Sequence, residues 1–594
     1  MCRILRKLGI MHVRTVSSQI SLCSSHRLMR DDTFRLNVTV FEFVITSRPF
    51  STLRNMSSKK LINSSVRCLE DNLEGLVAIN PGLRLIKDQH VVVRADIGDM
   101  KNEGKVGVLC GGGSGHEPGH AGYVGRGMLS CAVAGNIFAS PPPAAILTGL
   151  RTIAKDNPAG ALVLIKNYTG DRINFGLALE RGKAEGLKCE MVVVGEDCAL
   201  TSHDKTAGRR GLAGTILVQK IAGALSEEGK SLEEVTQQAQ LAARSMGTIG
   251  LALKPCSTPG STGPLFTVPE DEMELGLGLH GEAGVKRVKL MSAKDTVKLM
   301  IDHMTNPDNS THLKVNKGDR VACMINNLGG MSVLEMNIIA KETVQYLEVD
   351  LGLNLDRAYC GTYVTSLEMA GVSITLLHLS DTFARCLDAP TTAPGWQTPL
   401  LSPGHTDRHT PEPMIPAEVT RSTVQHTQGV TVSKGHGELV YDVLQTVCKR
   451  LLEHEDTLNV LDSLSGDGDT GSTVARGARE ILGKLGSRDD PQMHVTCPSQ
   501  LALELAQIVE TVMGGSSGGI YSLFFTGAAA GLQKEVSPKA WLDAMTMGIA
   551  PIQRYGGAEQ GDRTMLDALI RARDSYKAHV DTMSPVEAFA QAVK

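Results

Sequence analysis

Three aspartates lie close together in the last third of the chain. Asp462, Asp467 and Asp469 fall in the segment LDSLSGDGDTGS at positions 461–472, where glycines separate the acids and hydroxyl residues follow. Carboxylates at this spacing repel one another unless a cation lies between them, and hard oxygen ligands suit Mg²⁺ carrying phosphates better than Zn²⁺. An Asp/Gly-rich surface turn is the alternative for such a segment taken alone. The pattern favours metal-assisted phosphoryl transfer.

A second glycine-rich loop follows, with the letters MGGSSGG at positions 513–519. It lies between two stretches with helical patterns, at roughly 499–512 and 519–532. Free backbone N–H groups at the start of the second helix, beside the hydroxyls of Ser516 and Ser517, would form a cradle for phosphate groups. Glycines that only allow close contact between helices are the alternative. The two loops together favour a nucleotide site.

The first half of the chain carries a third loop, CGGGSGHEPGH at positions 110–120, directly after a predicted strand. Its letters contain His-Glu-x-x-His, the pattern of a zinc protease, but that site needs one continuous helix, which Pro118 and Gly119 prevent. Pro118 also stands where a dinucleotide-binding loop needs glycine. We interpret the loop as a cradle for a small ligand. The residues that would form it, through backbone donors and one titratable ring, are Gly113, Ser114, Gly115 and His116.

Two further segments carry residues suited to hydroxyl and carbonyl chemistry. The segment KNYTGD at 166–171 ends another predicted strand, and its Asp171 is a candidate base for a substrate hydroxyl, with an Asx turn or a helix N-cap as the alternative. His280 stands among glycines in LGLGLHGEAG, at 275–284. A lone histidine is usually structural, but flanking glycines give a ligand access to the ring. A neutral imidazole can attack a carbonyl carbon.

Short β-rich runs alternate with helical stretches over residues 56–390, which predicts an α/β domain in two lobes. The predicted strands lie at 106–110, 161–166, 191–194, 321–325 and 374–379. Seven prolines stand between Pro390 and Pro416, so residues 391–428 are predicted to be a linker. From about Gly429 the β pattern disappears, and helix starts are predicted at Pro538 and at Ser584. Residues 429–594 are therefore predicted to be an all-α domain that carries the metal loop.

Composition excludes several classes of function. The chain has 594 residues, a net charge of -4 and 4% aromatic residues, which argues against a nucleic-acid partner. Its 13 cysteines form no C-x-x-C pair, so a reducing compartment such as the cytoplasm is expected. No apolar run reaches the length of a membrane helix. Residues 1–55 are interpreted as an N-terminal extension, either a mitochondrial transit peptide or sequence upstream of a true start at Met56.

With these motifs, the chain resembles the dihydroxyacetone kinase family over about residues 56–594, and most closely its animal members. The resemblance follows the order of both halves and includes the segment DAPTTAP at 388–394. It implies an α/β substrate domain of two lobes, in which a histidine binds a short ketose or aldose covalently as a hemiaminal. It also implies an all-α helical barrel that carries ATP, and a homodimer.

The resemblance also implies roles for individual residues. His280 would be the covalent histidine, and Asp171 with His116 would be the acid/base pair on the substrate hydroxyl. The substrate site would be lined by Gly113, Ser114, Gly115, His116, Lys166 and Asp171. The metals would be held by Asp462, Asp467 and Asp469. The ATP contacts would be Asp467, Gly468, Asp469, Thr470, Ser516, Ser517, Gly556, Thr564 and Met565.

The activity implied is ATP-dependent phosphorylation of dihydroxyacetone and glyceraldehyde with Mg²⁺. Animal relatives also cleave FAD to AMP and cyclic FMN, with Mn²⁺ or a similar metal. Relatives continue beyond the helix predicted at Ser584, so the helical domain is expected to be incomplete at its C-terminus, which would weaken the kinase activity. Two alternatives stay open: a non-catalytic protein that binds carbonyl compounds or regulates, and an enzyme that mainly cleaves FAD.

Overall fold

The computed structural model describes residues 59–200, 208–282, 284–397, 429–464 and 466–594. These residues form two compact units, one before and one after the proline-rich segment in the sequence. The predicted N-terminal extension and positions 398–428 of the predicted linker lie outside the described residues. No helix in the described part of the chain is long and apolar enough to cross a membrane.

The first unit contains two six-stranded sheets. Their strands are β1 (Leu83–Ile86), β2 (Val91–Arg94), β3 (Gly107–Ser114), β4 (Cys131–Ile137), β5 (Ala161–Lys166), β6 (Cys189–Val194), β7 (Met246–Lys254), β8 (Glu272–Leu275), β9 (Lys286–Lys289), β10 (Arg320–Asn327), β11 (Asn354–Gly361) and β12 (Ala370–His378). The strand order is β1-β2-β4-β3-β5-β6 in one sheet and β11-β10-β12-β7-β8-β9 in the other. Both sheets mix parallel and antiparallel pairs, and the predicted α/β class is confirmed.

Helices pack against these sheets. They are α1 (Cys68–Ile79), α2 (Ile97–Asn102), α3 (Pro143–Ala154), α4 (Thr169–Ala184), α5 (Gly214–Glu227), α6 (Leu232–Arg244), α7 (Ala293–Thr305), α8 (Val333–Gln345) and α9 (Asp381–Asp388). Successive side chains of the central strands β3 and β5 point into two apolar cores on opposite faces of the sheet. Val108 and Leu162 lie in one core, and Leu109 and Val163 lie in the other. A strand that is buried on both faces of a sheet needs apolar residues at successive positions, which explains the continuous apolar runs in β3 and β5.

The central pair of strands positions the candidate site. β3 runs parallel to β5, with Gly111 opposite Ile165, so the two strands end at the same edge of the sheet. The glycine-rich loop at 115–120 follows β3, and the segment that contains Asp171 follows β5. Open α/β sheets bind their ligands at this kind of edge.

The start of the proline-rich segment packs on the first unit. The N–H of Gly395 donates to the carbonyl of Gly122 at 2.7 Å, and Trp396 is buried in the core. The Lys220 ammonium lies 6.0 Å from the centre of the Trp396 ring and donates to the carbonyl of Cys386 at 2.6 Å. Residues 391–397, which the composition assigned to the linker, are therefore ordered against the α/β unit.

The second unit is all-helical over its described residues, as predicted. Its helices are α10 (Lys434–Glu453), α11 (Glu455–Asp462), α12 (Thr470–Leu485), α13 (Pro498–Ile508), α14 (Gly515–Gly531), α15 (Pro538–Gly556), α16 (Met565–His579) and α17 (Pro585–Val593). A short π-helical turn, Val509–Met513, joins α13 to the second glycine loop. The predicted starts of α15 and α17 are confirmed, because the hydroxyls of Ser537 and Ser584 cap them.

We expect Gly223→Ala to destabilise the α/β unit. A Cβ on Gly223, inside α5, would lie 2.6 Å from the backbone nitrogen of Met128. Met128 is buried in the core, so its backbone has little room to shift. Overpacking of about 1–3 kcal/mol outweighs the gain of about 1 kcal/mol in helix propensity. Gly176→Ala in α4 is the matched control, because, apart from its own helix backbone, no atom of the described residues lies within 4 Å of the added methyl group. The midpoint of thermal unfolding should be lower than that of the wild type for Gly223→Ala and equal or higher for Gly176→Ala. Equal midpoints for the two variants would show that the contact between Gly223 and Met128 does not limit stability.

Candidate active site

His116 lies in the loop that follows β3. Its Nδ1 donates to the carbonyl of Thr365 at 2.8 Å, and because a carbonyl only accepts, the ring proton is on Nδ1. The ring is buried and its Nε2 has no hydrogen-bond partner among the described residues. Burial, with the nearby positive charge of Lys166, holds the pKa of His116 well below its ordinary value. The ring is therefore neutral, with an unused acceptor at Nε2.

The glycines of this loop make room for Phe138, whose ring stacks on His116 with centroids 5.2 Å apart. A Cβ on Gly113 would lie 2.8 Å from the backbone carbonyl carbon of Phe138, and one on Gly115 would lie 2.8 Å from its ring. The N–H of Gly115, predicted as a donor to a ligand, already donates to the Glu117 carboxylate at 3.0 Å. In the structure, Gly113 and Gly115 leave room for Phe138 and so help to position the His116 ring.

The conformation of this loop excludes a zinc-protease site at His116 and His120, as the sequence predicted. His116 and His120 do not share a helix, since only a three-residue 3-10 turn begins after His120. His120 is held at Nδ1 by the amide of Gln219, at 2.8 Å. A cavity of about 370 Å³ lies beside the loop and is lined in part by Gly112, Glu117 and His120. That volume is within the range of small-ligand pockets.

Lys166 and Asp171 come together at the end of β5, as the sequence predicted. Lys166 is the last residue of the strand, Asp171 lies in the first turn of α4, and both are buried. Gly112 faces both, because a Cβ there would lie 3.7 Å from the Asp171 Oδ2 and 3.7 Å from the Lys166 Cε. Burial raises the pKa of Asp171 and lowers that of Lys166, while their mutual attraction opposes both changes. The Lys166 Nζ has no partner in the described structure and can therefore serve a ligand oxygen.

His280 completes the cluster from the loop after β8. Its ring meets the His116 ring edge-on, with centroids 4.9 Å apart, and the Tyr168 ring at 4.5 Å. The His280 side chain is 20% exposed, unlike the buried His116, so a ligand can reach it from solvent. The structure therefore brings together the three residues predicted to be catalytic.

Sequence reasoning missed Glu282, the residue that holds His280. Its Oε2 accepts the backbone N–H of His280 at 3.0 Å, and its Oε1 accepts from the ring Nδ1 at 3.1 Å. Burial raises the pKa of Glu282, but its hydrogen bonds to the ring and the backbone N–H of His280 oppose burial, and the pKa is lowered to about 2. A carboxylate on Nδ1 leaves Nε2 as the unprotonated ring nitrogen. The only sequence signal was an acid two residues after the histidine.

The three aspartates of the helical unit also come together. One carboxylate oxygen from each of Asp462, Asp467 and Asp469 lies within 4.8 Å of the others. Asp462 organises the loop, because its Oδ2 accepts the N–H groups of Gly468, Asp469 and Thr470 at 3.0, 3.1 and 3.2 Å. Gly468 has φ +80°, which glycine adopts without strain. Three hard carboxylates that converge in this way fit Mg²⁺.

The second glycine loop forms the start of α14. Gly514 and Gly515 have φ of +65° and +56°, and Ser516 and Ser517 lie in the first turn, where N–H groups lack partners within the helix. Arg476 of α12 ties this loop to the metal loop. Its Nη2 donates to the Met513 carbonyl and to the Thr473 hydroxyl, each at 3.1 Å. Thr473 lies one helical turn from Thr470, so Arg476 links the helix start that carries Thr470 to the loop before Ser516 and Ser517.

The remaining predicted ATP contacts lie at the connection between α15 and α16. Gly556 is the last residue of α15, and Met565 is the first residue of α16. The Thr564 hydroxyl accepts the N–H of Leu566 at 3.2 Å, and Asp567 completes a capping box. Thr564 therefore has a structural role as a helix cap. Contact of these three residues with a nucleotide stays a prediction.

Comparison with known proteins gives matches for both units. The Dak1 domain matches residues 74–395, and the DAK2 domain matches residues 465–594. The triokinase/FMN cyclase of Homo sapiens is 47% identical over 524 residues, which cover 88% of this chain and 88% of the human protein.

Solved structures of the dihydroxyacetone kinase of C. freundii are also similar. The native form aligns with a TM-score of 0.65 and 34% identity, over 91% of this chain and 93% of the bacterial one. The complex of that enzyme with AMP-PNP and Mg²⁺ aligns with a TM-score of 0.64 and 32% identity, over 90% and 99% of the two chains.

The matched regions contain the histidine cluster and two of the three clustered aspartates, in the order that the sequence resemblance implied. The Dak1 match includes His116, Asp171 and His280, and the DAK2 match includes Asp467 and Asp469. Both halves of the resemblance are thus confirmed, and this chain belongs to the dihydroxyacetone kinase family.

Proposed function

We propose that this chain is an ATP-dependent kinase of dihydroxyacetone and glyceraldehyde that holds its substrate as a hemiaminal on His280. The observation that carries the proposal is the cluster that His116 and Asp171, at one edge of the first sheet, form with His280 from the second. The same chain also carries the three-aspartate loop. Relatives named triokinase and dihydroxyacetone kinase support the reaction class.

Capture of the substrate would begin at His280. Its unprotonated Nε2 attacks the carbonyl carbon, a carbon–nitrogen bond forms, and the carbonyl oxygen takes up a proton. Glycerol has no carbonyl and cannot form this bond. A pocket that merely fits three carbons discriminates weakly between such molecules, so the covalent bond supplies the selectivity.

The buried polar groups would then orient the acceptor hydroxyl. Asp171 accepts its proton as the oxygen bonds to the γ-phosphorus of ATP, the bond from that phosphorus to the β-phosphate oxygen breaks, and ADP leaves. The Nε2 of neutral His116 and the Nζ of Lys166, which lack partners within the described protein, bond to substrate oxygens. Catalysis in this half consists of positioning and one proton transfer.

The nucleotide half would hold ATP through the two glycine loops. Asp467, Asp469 and the Oδ1 of Asp462 would bind Mg²⁺, an ion also present in the solved complex of the bacterial relative with AMP-PNP. A Mg²⁺ ion held by these residues would neutralise charge on the phosphates during transfer. The N–H groups and hydroxyls at the start of α14 would hold phosphate oxygens.

We propose a second reaction at the same nucleotide loops, because the human relative carries the name FMN cyclase as well as triokinase. A ribityl hydroxyl of FAD would attack the adjacent phosphorus, so that the phosphoanhydride breaks, AMP leaves and cyclic FMN forms, with Mn²⁺ or a similar ion. The convergence of all three aspartates and the DAK2 match favour catalysis over a purely regulatory, carbonyl-binding role.

We expect His280→Ala to lose discrimination between dihydroxyacetone and glycerol, since only the imidazole can form the covalent bond. Competition binding to the full chain measures the ratio of the two affinities, and mass spectrometry of the denatured complex detects an adduct on the peptide that contains His280. A variant that discriminates as well as the wild type, or a wild-type enzyme with no adduct on that peptide, would refute the covalent role.

We expect Asp467→Asn and Asp469→Asn each to abolish phosphorylation and FAD cleavage together, because one set of metal ligands serves both reactions. Each loss should exceed about 100-fold, the scale for removal of one charge-stabilising group. Asp456→Asn is the control, since it removes an exposed carboxylate from the neighbouring helix α11. Binding of dihydroxyacetone by the α/β unit should persist, and survival of either reaction would contradict the shared site.

We expect the rate to fall at low pH through the protonation of Asp171. Burial raises the pKa of this carboxyl, so the acidic limb of kcat/KM should lie above the ordinary aspartate value of about 3.9. The Lys166 charge opposes that increase, and Lys166→Met should therefore move the limb to still higher pH. A limb that stays in place in Lys166→Met would show that another group controls it.

A further inference from the structure

Glu282 holds the candidate nucleophile by two contacts at once. One carboxylate oxygen accepts the backbone N–H of His280 and the other accepts from its ring nitrogen Nδ1, at 3.0 and 3.1 Å. A carboxylate that bonds both the main chain and the ring of one residue fixes the ring rotation as well as its tautomer. A surface acid near a histidine by chance would fix neither.

The surrounding loop is built to admit this carboxylate. A Cβ on Gly278 would collide with the carboxylate of Glu282 in its observed position, so the glycine leaves space for this conformation of Glu282. Arg210 also borders this space, at 2.9 Å from the position of such a Cβ, and is itself anchored by the buried Asp197 at 2.6 Å. The Arg210 Nη2 donates to the carbonyl of Gly276 at 2.6 Å, which secures the same loop.

We infer that Glu282 is the positioning residue of covalent capture: its carboxylate keeps the His280 Nδ1 protonated and stabilises the ring cation that forms when Nε2 bonds to the substrate carbon. This inference rests on the proposed function, because it presupposes a bond between His280 and a carbonyl compound. Glu282 acts only through His280.

The balance of the step explains why a charge is needed. The Nε2 lone pair forms a bond to the carbonyl carbon, the π electrons move to the carbonyl oxygen, and that oxygen takes one proton from solvent. The ring keeps its Nδ1 proton and so gains a positive charge. An adjacent carboxylate lowers the free energy of that cation, whereas a neutral amide provides a hydrogen bond without the charge.

The experiment compares Glu282→Gln, Glu282→Asp and His280→Ala in the full chain. The control is Glu274→Gln, because Glu274 supports the same loop through the Gly284 N–H at 2.9 Å and Arg287 at 2.9 Å. The probe is dihydroxyacetone labelled with ¹³C at its carbonyl carbon, whose resonance moves from the carbonyl to the tetrahedral range in the adduct. Glycerol binding, steady-state kinetics and ¹⁵N spectra of labelled histidine are measured in parallel.

We expect Glu282→Gln to reduce the preference for dihydroxyacetone over glycerol by roughly 10- to 100-fold, the effect of losing one charge-assisted hydrogen bond. The loss should appear mainly in KM, and the His280 ¹⁵N signals should change from a single Nδ1-protonated form to a mixture. Glu282→Asp should recover part of the preference because it keeps the charge, and Glu274→Gln should keep all of it.

The outcomes separate the inference from the proposed function. An adduct that persists in His280→Ala would overturn both. Loss of the adduct in His280→Ala with wild-type preference in Glu282→Gln would overturn the role of Glu282 alone. A loss in Glu274→Gln equal to that in Glu282→Gln would assign the effect to loop stability and also overturn it. If Glu282→Gln fails to fold, Glu282→Asp decides: a partly retained preference with a single tautomer supports the inference, and loss of both overturns it.

Discussion

The parallel pairing of β3 with β5 is the constraint on which the candidate site depends. It places the ends of both strands at one edge of the sheet, so that the loop with His116 and the turn with Asp171 meet beside Lys166. The strands are covered on both faces by apolar cores, which buries these polar groups with them. Burial then governs their chemistry, because it makes His116 neutral and lowers the pKa of Lys166, whose Nζ has no hydrogen-bond partner among the described residues. A buried polar group without a partner is costly to the folded protein and therefore favours a polar ligand.

The two units place their charged groups in opposite environments, buried in the α/β unit and exposed in the helical unit. In the α/β unit, charged groups are withdrawn from water and their pKa values move toward neutrality. In the helical unit, Asp467 and Asp469 stay exposed, and the loop brings their carboxylates together with that of Asp462. Asp462 restrains that loop through three backbone N–H groups, which limits the repulsion before any cation binds. The first arrangement suits a small uncharged substrate, and the second suits a metal with phosphates.

Local sequence pattern predicted the elements well, and tertiary contacts explain what it missed. The strand predicted at 161–166 is the observed β5, because an apolar run between turn residues has one reasonable interpretation. The helix starts at Ser537 and Ser584 were readable because capping depends on near neighbours. The Thr365 carbonyl that fixes the tautomer of His116 lies 249 residues away, so no local pattern could reveal it. Phe138 was missed for the same reason. Glu282 is only two residues from His280 in the sequence, but its hydrogen bond to the His280 ring depends on a loop conformation that the sequence alone does not define.

The central claim is that His280 forms a covalent bond to a carbonyl substrate while His116, Lys166 and Asp171 hold its oxygens. A crystal structure of the full chain soaked in dihydroxyacetone tests it most directly. We expect continuous electron density from the His280 Nε2 to a tetrahedral substrate carbon, with Nδ1 still bonded to Glu282 and the substrate hydroxyls within hydrogen-bond distance of Asp171 and His116. Dihydroxyacetone bound with a planar carbonyl and no density to His280, or bound away from this cluster, would contradict it.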